Sequence, residues 1–148
     1  MAVSKGFIAS NSAAGETAIG TTYALAKIVT VNGAGTTDPG ASALPGSCHL
    51  SHIEFQLDDA SGSPTQLTFY LAHDAAGNFP MSAESAAITL VRGLTDATLS
   101  AAVVGLDVDY HITSNSTAGT LYALCKVDAG TVDVDVCRIY WTKRRSGA

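Results

Sequence analysis

The stretch Leu121-Tyr122-Ala123-Leu124-Cys125-Lys126-Val127-Asp128-Ala129-Gly130-Thr131-Val132-Asp133-Val134-Asp135-Val136 decides the fold class. Successive side chains on a strand point to opposite faces. The alternation in Leu121 to Val127, and again in Val132 to Val136, therefore marks two strands. The turn-forming Asp128-Ala129-Gly130-Thr131 between them predicts a β-hairpin. Beyond it, Ile139 and Trp141 occupy the opposite parity from Val132, Val134 and Val136, so a β-bulge near Cys137-Arg138 is expected to switch the apolar face.

The same reading extends upstream. Ile53, Phe55 and Leu57 alternate with Glu54 and Gln56, and the run ends at Asp58-Asp59-Ala60-Ser61-Gly62-Ser63-Pro64. Leu67, Phe69 and Leu71 alternate until Asp74-Ala75-Ala76-Gly77-Asn78. Further strands are expected over 87–91, 100–104 and 108–113, with at most one helical turn over 82–86. Short strands at regular spacing with strong turn signals predict an all-β chain, a β-sandwich or jelly roll. Residues 1–47 read as an extended N-terminal arm with one or two strands, Tyr23 to Val31 and Gly6 to Ala9. The compact domain then spans 48–142 and a basic tail 143–148.

A chain of 148 residues fits one domain and needs no staples to bury a core. Charged residues make up 14%, against about 25% in average soluble domains. So neutral a surface favours packing against copies or a partner. The net charge of −5 argues against a nucleic-acid binder, which presents a basic stripe to phosphates. All 13 acidic residues lie at or before Asp135, and Arg138, Lys143, Arg144 and Arg145 crowd the C-terminus. No apolar run is long enough for a membrane helix, and the start lacks a signal-peptide pattern. Cys48, Cys125 and Cys137 have no metal-type spacing and read as buried free thiols in a protein made in a reducing cytosol.

The catalytic inventory is thin. His49 and His52, three apart on one strand, are expected on opposite faces, which leaves His73 and Asp74 as the best nucleus for a metal. The acidic pairs Asp58-Asp59, Asp107-x-Asp109 and Asp133-x-Asp135 could offer hard oxygens to calcium, but read more simply as the solvent side of strands. Gly46-Ser47-Cys48-His49 is not a nucleophile elbow, and Gly33-Ala34-Gly35 is not a dinucleotide fingerprint. No catalytic, cofactor or metal residue is assigned, and the chain is not expected to be an enzyme. Trp141, the only tryptophan, is expected as a core anchor or an interface residue.

A Gly/Ala/Thr-rich arm, a compact β domain, few charges, and the closing segment from Leu121-Tyr122-Ala123-Leu124 into Arg138-Ile139-Tyr140-Trp141 together resemble the small virion structural proteins of tailed bacteriophages, nearest to capsid decoration (cement) proteins. The resemblance implies a sandwich or jelly roll, often trimeric, that binds the outside of a capsid between capsomers and stiffens the shell. Its partner would be the major capsid protein or another virion protein, and its location the virion, after synthesis in the bacterial host cytoplasm. Phe7, Ile8, Tyr23, Leu25 and Trp141, with the basic Lys143, Arg144 and Arg145, are the expected assembly contacts. A tail, neck or fibre-associated virion protein shares the same composition. A module of another class would bind carbohydrate or a host surface through Tyr70, Tyr110, Tyr122, Tyr140 or Trp141.

Overall fold

A computed structural model describes residues 3–10, 18–31, 43–44, 47–90, 93–95, 102–113 and 119–144. Among them every regular element is a strand: β1 (Val3–Ser10), β2 (Ala18–Ile19), β3 (Ala24–Val31), β4 (Ala43–Leu44), β5 (Ser47–Ser61), β6 (Gln66–Ala72), β7 (Ile88–Thr89), β8 (Ala102–Thr113), β9 (Gly119–Val127) and β10 (Thr131–Arg144). No helix among the described residues is long and apolar enough to cross a membrane.

The strands form two sheets packed face to face. One has the order β1-β10-β5-β8, with β2 also pairing β10, and the other β4-β3-β9-β6-β7. The two-residue β2 and β4 are additions to β10 and to the edge of the second sheet. Without them, the remaining strands pair first with last (β1·β10), second with seventh (β3·β9), third with sixth (β5·β8) and fourth with fifth (β6·β7), all antiparallel. That nested order is a jelly roll.

Alternation supplies the core. Leu50, Ile53, Phe55 and Leu57 of β5 meet Leu67, Phe69 and Leu71 of β6 across the sandwich, and the Phe55 and Phe69 rings contact edge-to-face with centroids 5.0 Å apart. Such an aromatic pair contributes about 0.5–1.5 kcal/mol beyond its buried area. From β9 come Leu121, Ala123, Cys125 and Val127, and from β10 Val132, Val134, Cys137 and Ile139. All three cysteines are free and buried, as the sequence predicts. Burial pushes the Cys137 thiol up to about 12, with Lys27 and Arg138 pulling in the other direction.

The hairpin expected at the turn 128–131 is not one. β9 pairs with β3 and β6, whereas β10 pairs with β1, β5 and β2, so the chain crosses between sheets there. Alternation identifies strands, but a buried face can be covered by the opposite sheet as well as by a neighbour. The expected bulge in β10 exists slightly earlier: Val134 pairs Leu57 and Val136 pairs Gln56, so Asp135 is extra and burial switches from Val134 to Cys137. The strands expected over 100–104 and 108–113 are a single strand, β8, because Val104, Leu106, Val108 and Tyr110 keep one parity through Gly105.

The expected N-terminal arm is, where described, part of the body. β1 runs antiparallel to β10 from Val3↔Arg144 to Ser10↔Cys137, and β3 lies inside the second sheet between β4 and β9. The polar composition of the intervening segments suggests an arm, but the apolar alternation of the strands is what places them. The helical turn expected over 82–86 is replaced by a segment lying along β6: Ser82 Oγ and Ser85 Oγ accept from the backbone N–H groups of Leu71 and Phe69 at 3.0 Å each.

Candidate functional site

The outer face of the β5/β8 pair gathers four histidine and carboxylate partnerships. His49 lies directly opposite His111, and Asp109, two residues along β8, shares their face. His49 Nε2 is 2.5 Å from Asp109 Oδ1, and His111 Nε2 is 3.9 Å from the same oxygen. The His49 and His111 rings lie 4.7 Å apart, tilted by 37°. A little further along, His52 Nδ1 contacts Asp107 Oδ1 at 2.7 Å, and its Nε2 is 3.4 Å from Glu54 Oε1.

Sequence parity puts His49 and His52 on opposite faces, and a bulge at Ser51 corrects this. Leu50 pairs Tyr110 and His52 pairs Asp107, so the ladder shifts between them. Ser51 is the extra residue against β10, where Tyr140 pairs His52 and Trp141 pairs Leu50, whereas the shift against β8 leaves the extra residue on β8. Leu50 and Ile53 therefore both point into the core, and both histidines face outward. Gly105 leaves room for the second histidine, since a Cβ there would lie 2.7 Å from His52 Nε2. The row continues onto β10: the Tyr140 ring meets His52 edge-on at 5.5 Å and its hydroxyl donates to Glu54 at 3.3 Å. Partial burial, and then the Glu54 charge, raise the Tyr140 phenol above its ordinary value.

The other sequence candidates fall elsewhere. Asp74 closes its own loop: Oδ1 accepts from Phe79 N at 2.8 Å, and Oδ2 accepts from Asn78 N and Nδ2 at 3.1 and 3.2 Å. The Phe79 N–H, ahead of the Asn78 groups, holds that carboxyl below its usual range. Its oxygens serve the turn, and among the described residues His73 and Asp74 join no group of three metal-type ligands. The loop presents Phe79 at 67% exposure; among the described residues only Val103, at 52%, is another large hydrophobic group so exposed. Asp107 and Asp109 are engaged by histidines. Asp133 sits opposite Asp58, and burial, with Asp59 and Asp58, raises its carboxyl.

Of the expected assembly contacts, Trp141 is 7% exposed and belongs to the core, with Leu50 and Gly6 as its ladder partners. Tyr23 is half-buried, edge-on to Tyr70 at 4.8 Å and beneath Lys126 Nζ at 4.6 Å. Burial, reinforced by Glu84, raises its phenol. Leu25 is half-buried in β3 opposite Leu124. The backbones of Phe7 and Ile8 pair with Tyr140 and Ile139, and those of Lys143 and Arg144 with Ser4 and Val3, while their side chains and all of Arg145 lie outside the described residues. Within the described residues, the first strand of the expected arm, β1, and the start of the expected tail, Lys143 and Arg144 of β10, are partners in one sheet. Phe79 was missed because a lone aromatic after Gly77-Asn78 carries no periodic signal.

No known protein family and no curated protein matches the chain. Among solved structures, the crystal structure of the infectious bursal disease virus VP2 subviral particle is similar at a TM-score of 0.38 and 11% identity, over 95% of this chain and 32% of that one. The chain thus spans about a third of that protein's length.

Proposed function

We propose that the protein is a structural component of a virion, a decoration protein that binds the outside of a phage capsid between capsomers and stabilises the shell. The jelly-roll strand order carries this reading. Jelly rolls recur in viral capsid and lectin domains, and a fold by itself does not choose between them. Two features favour assembly. The chain is poor in charge, and three of the five aromatic side chains expected as stacking platforms for a sugar are committed elsewhere: Trp141 is in the core, Tyr70 donates to Gly77 O, and Tyr140 is held between His52 and Glu54.

The contact surface in this reading includes Phe79. An exposed aromatic on a turn already fixed by Asp74 loses little conformational freedom on binding, which is what makes an anchor residue effective. Phe79→Ser is expected to leave the melting temperature within about 2 °C of the parent, since a surface change costs little. It is expected to weaken particle binding by about tenfold or more.

Light scattering after size-exclusion chromatography, followed by co-sedimentation with capsids of the phage that encodes the protein, tests the whole reading. A closed oligomer, a trimer above all, that saturates the particles supports it. A monomer that never sediments with particles and instead binds a glycan array overturns it. Particles that carry the protein at the tail or neck would move it to that virion location.

A further inference from the structure

We propose that His49, Asp109 and His111 form a binding site for a divalent transition-metal ion of the zinc, cobalt and nickel class. This inference goes beyond the virion reading and does not depend on it. One ligand atom from each of the three residues lies within 4.8 Å of the other two. Bonds of about 2.0–2.2 Å around a tetrahedral ion put neighbouring ligand atoms roughly 3.3–3.5 Å apart. The observed separations bracket that spacing: 2.5 Å for His49 Nε2 to Asp109 Oδ1 and 3.9 Å for His111 Nε2 to the same oxygen. Side-chain rotations of less than about 1 Å at the ligand atoms would reach it, with no backbone change.

The backbone supports the arrangement. His49 and His111 are direct cross-strand partners and Asp109 is the next residue of β8 on that face, so two paired strands fix all three positions. An ordinary ion pair needs only His49 and Asp109. His111 approaches the same oxygen at a distance too long for a hydrogen bond, with its ring tilted against His49, and so offers a third ligand. The side chains of Asp109 and His111 are 86% and 73% exposed, which leaves the remaining coordination positions to water. Two imidazoles and one carboxylate favour this class of ion over calcium and magnesium, which take oxygen ligands. On binding, the metal takes the Nε2 lone pair of a neutral His49 in place of the contact with Asp109, any proton on that nitrogen leaves to water, and the ring proton sits on Nδ1. The neighbouring His52 set lacks a second imidazole, with Asp107 and Glu54 on its two nitrogens.

Cobalt(II) titration of the full chain near neutral pH, read by visible absorption and then by zinc competition, tests the site. About one equivalent is expected, with the intense spectrum of a low-coordinate site that zinc abolishes and calcium does not. His111→Ala and Asp109→Asn change exposed groups, so their melting curves without metal should match the parent. Each should weaken binding at least by the roughly 10- to 100-fold that loss of an outer-shell partner costs. Zinc should raise the parent's melting temperature and leave that of His111→Ala unchanged. His52→Ala should bind as the parent does. A parent chain that binds neither cobalt nor zinc, or a His111→Ala chain that binds them equally well, overturns the proposal. So does equal competition by calcium.

Discussion

Asp128 shows how much one exposed side chain can organise. Its Oδ1 accepts from the backbone N–H groups of Thr65 and Gln66 at 2.7 and 2.9 Å, and its Oδ2 accepts from the Thr65 hydroxyl. The hydroxyl first, and the two N–H groups with it, hold the carboxyl down at about 2, against an ordinary value near 3.9. A lowered folded-state value means that ionisation favours the fold. The contribution is complete above about pH 4 and is lost as the pH falls through about 2. Solvent screens the site, so the effect is modest. Asp128→Asn keeps one acceptor oxygen and loses the charge; it is expected to cost about 1 kcal/mol at neutral pH and to flatten the fall in stability between about pH 4 and pH 2. Urea unfolding at several pH values checks both, and a variant as acid-sensitive as the parent would contradict the assignment. Asp133, raised by burial and by its acidic neighbours, has the opposite sign: its ionised form opposes the fold, and that opposition eases as the pH falls toward its raised value.

The element that Asp128 serves is a crossing between sheets. The β9–β10 and β5–β6 connections lie against each other: Gly130 has φ +63°, and a Cβ on it would lie 1.9 Å from the Ser61 carbonyl oxygen and 2.8 Å from the Gly62 Cα. Those obstacles are backbone atoms, so Gly130→Ala must force the two connections apart as well as strain its own φ. A loss of about 2 kcal/mol or more is expected, measured by denaturant unfolding, whereas Ala at Gly20, where nothing lies within 4 Å, should be mild. The sequence shows this region clearly as strand, turn, strand, yet its partners are not legible there. Asp128-Ala129-Gly130-Thr131 has the composition of a hairpin turn, and what distinguishes a crossing from a hairpin is the choice of strand partners, together with the packing of Gly130 on Ser61 and Gly62. The bulge at Asp135 was legible because burial on both sides of it leaves an apolar parity switch. The bulge at Ser51 left a weaker trace, since Leu50 and Ile53 change parity between two polar neighbours, and missing it hid the histidine row. The histidines were visible as residue types; their common face depended on one extra residue.

At the scale of the molecule, the nested pairing makes the two chain ends neighbours: β1 is an edge strand laid along β10, which is central to its sheet. An N-terminal arm that reached only toward other subunits could be removed without harm to the isolated fold. The ladder from Val3↔Arg144 to Ser10↔Cys137 makes the opposite prediction. Removing residues 1–10 would strip the hydrogen-bonding partner from the half of β10 that carries Cys137, Ile139 and Trp141, three residues of the core. At roughly 1 kcal/mol net for each hydrogen bond lost, the truncation should cost at least about 3 kcal/mol. In a chain of this size that lowers the melting temperature by about 6–12 °C. It would also turn β10 into a long unpaired edge, the kind of surface that recruits another chain, so aggregation should rise with the loss of stability. Calorimetry and light scattering on the truncated protein separate the two pictures. A melting temperature equal to the parent's would mean that β1 contributes nothing to the isolated fold, and would return these residues to the role of an arm; a large drop with new aggregation would place assembly contacts on outward-facing groups such as Phe79.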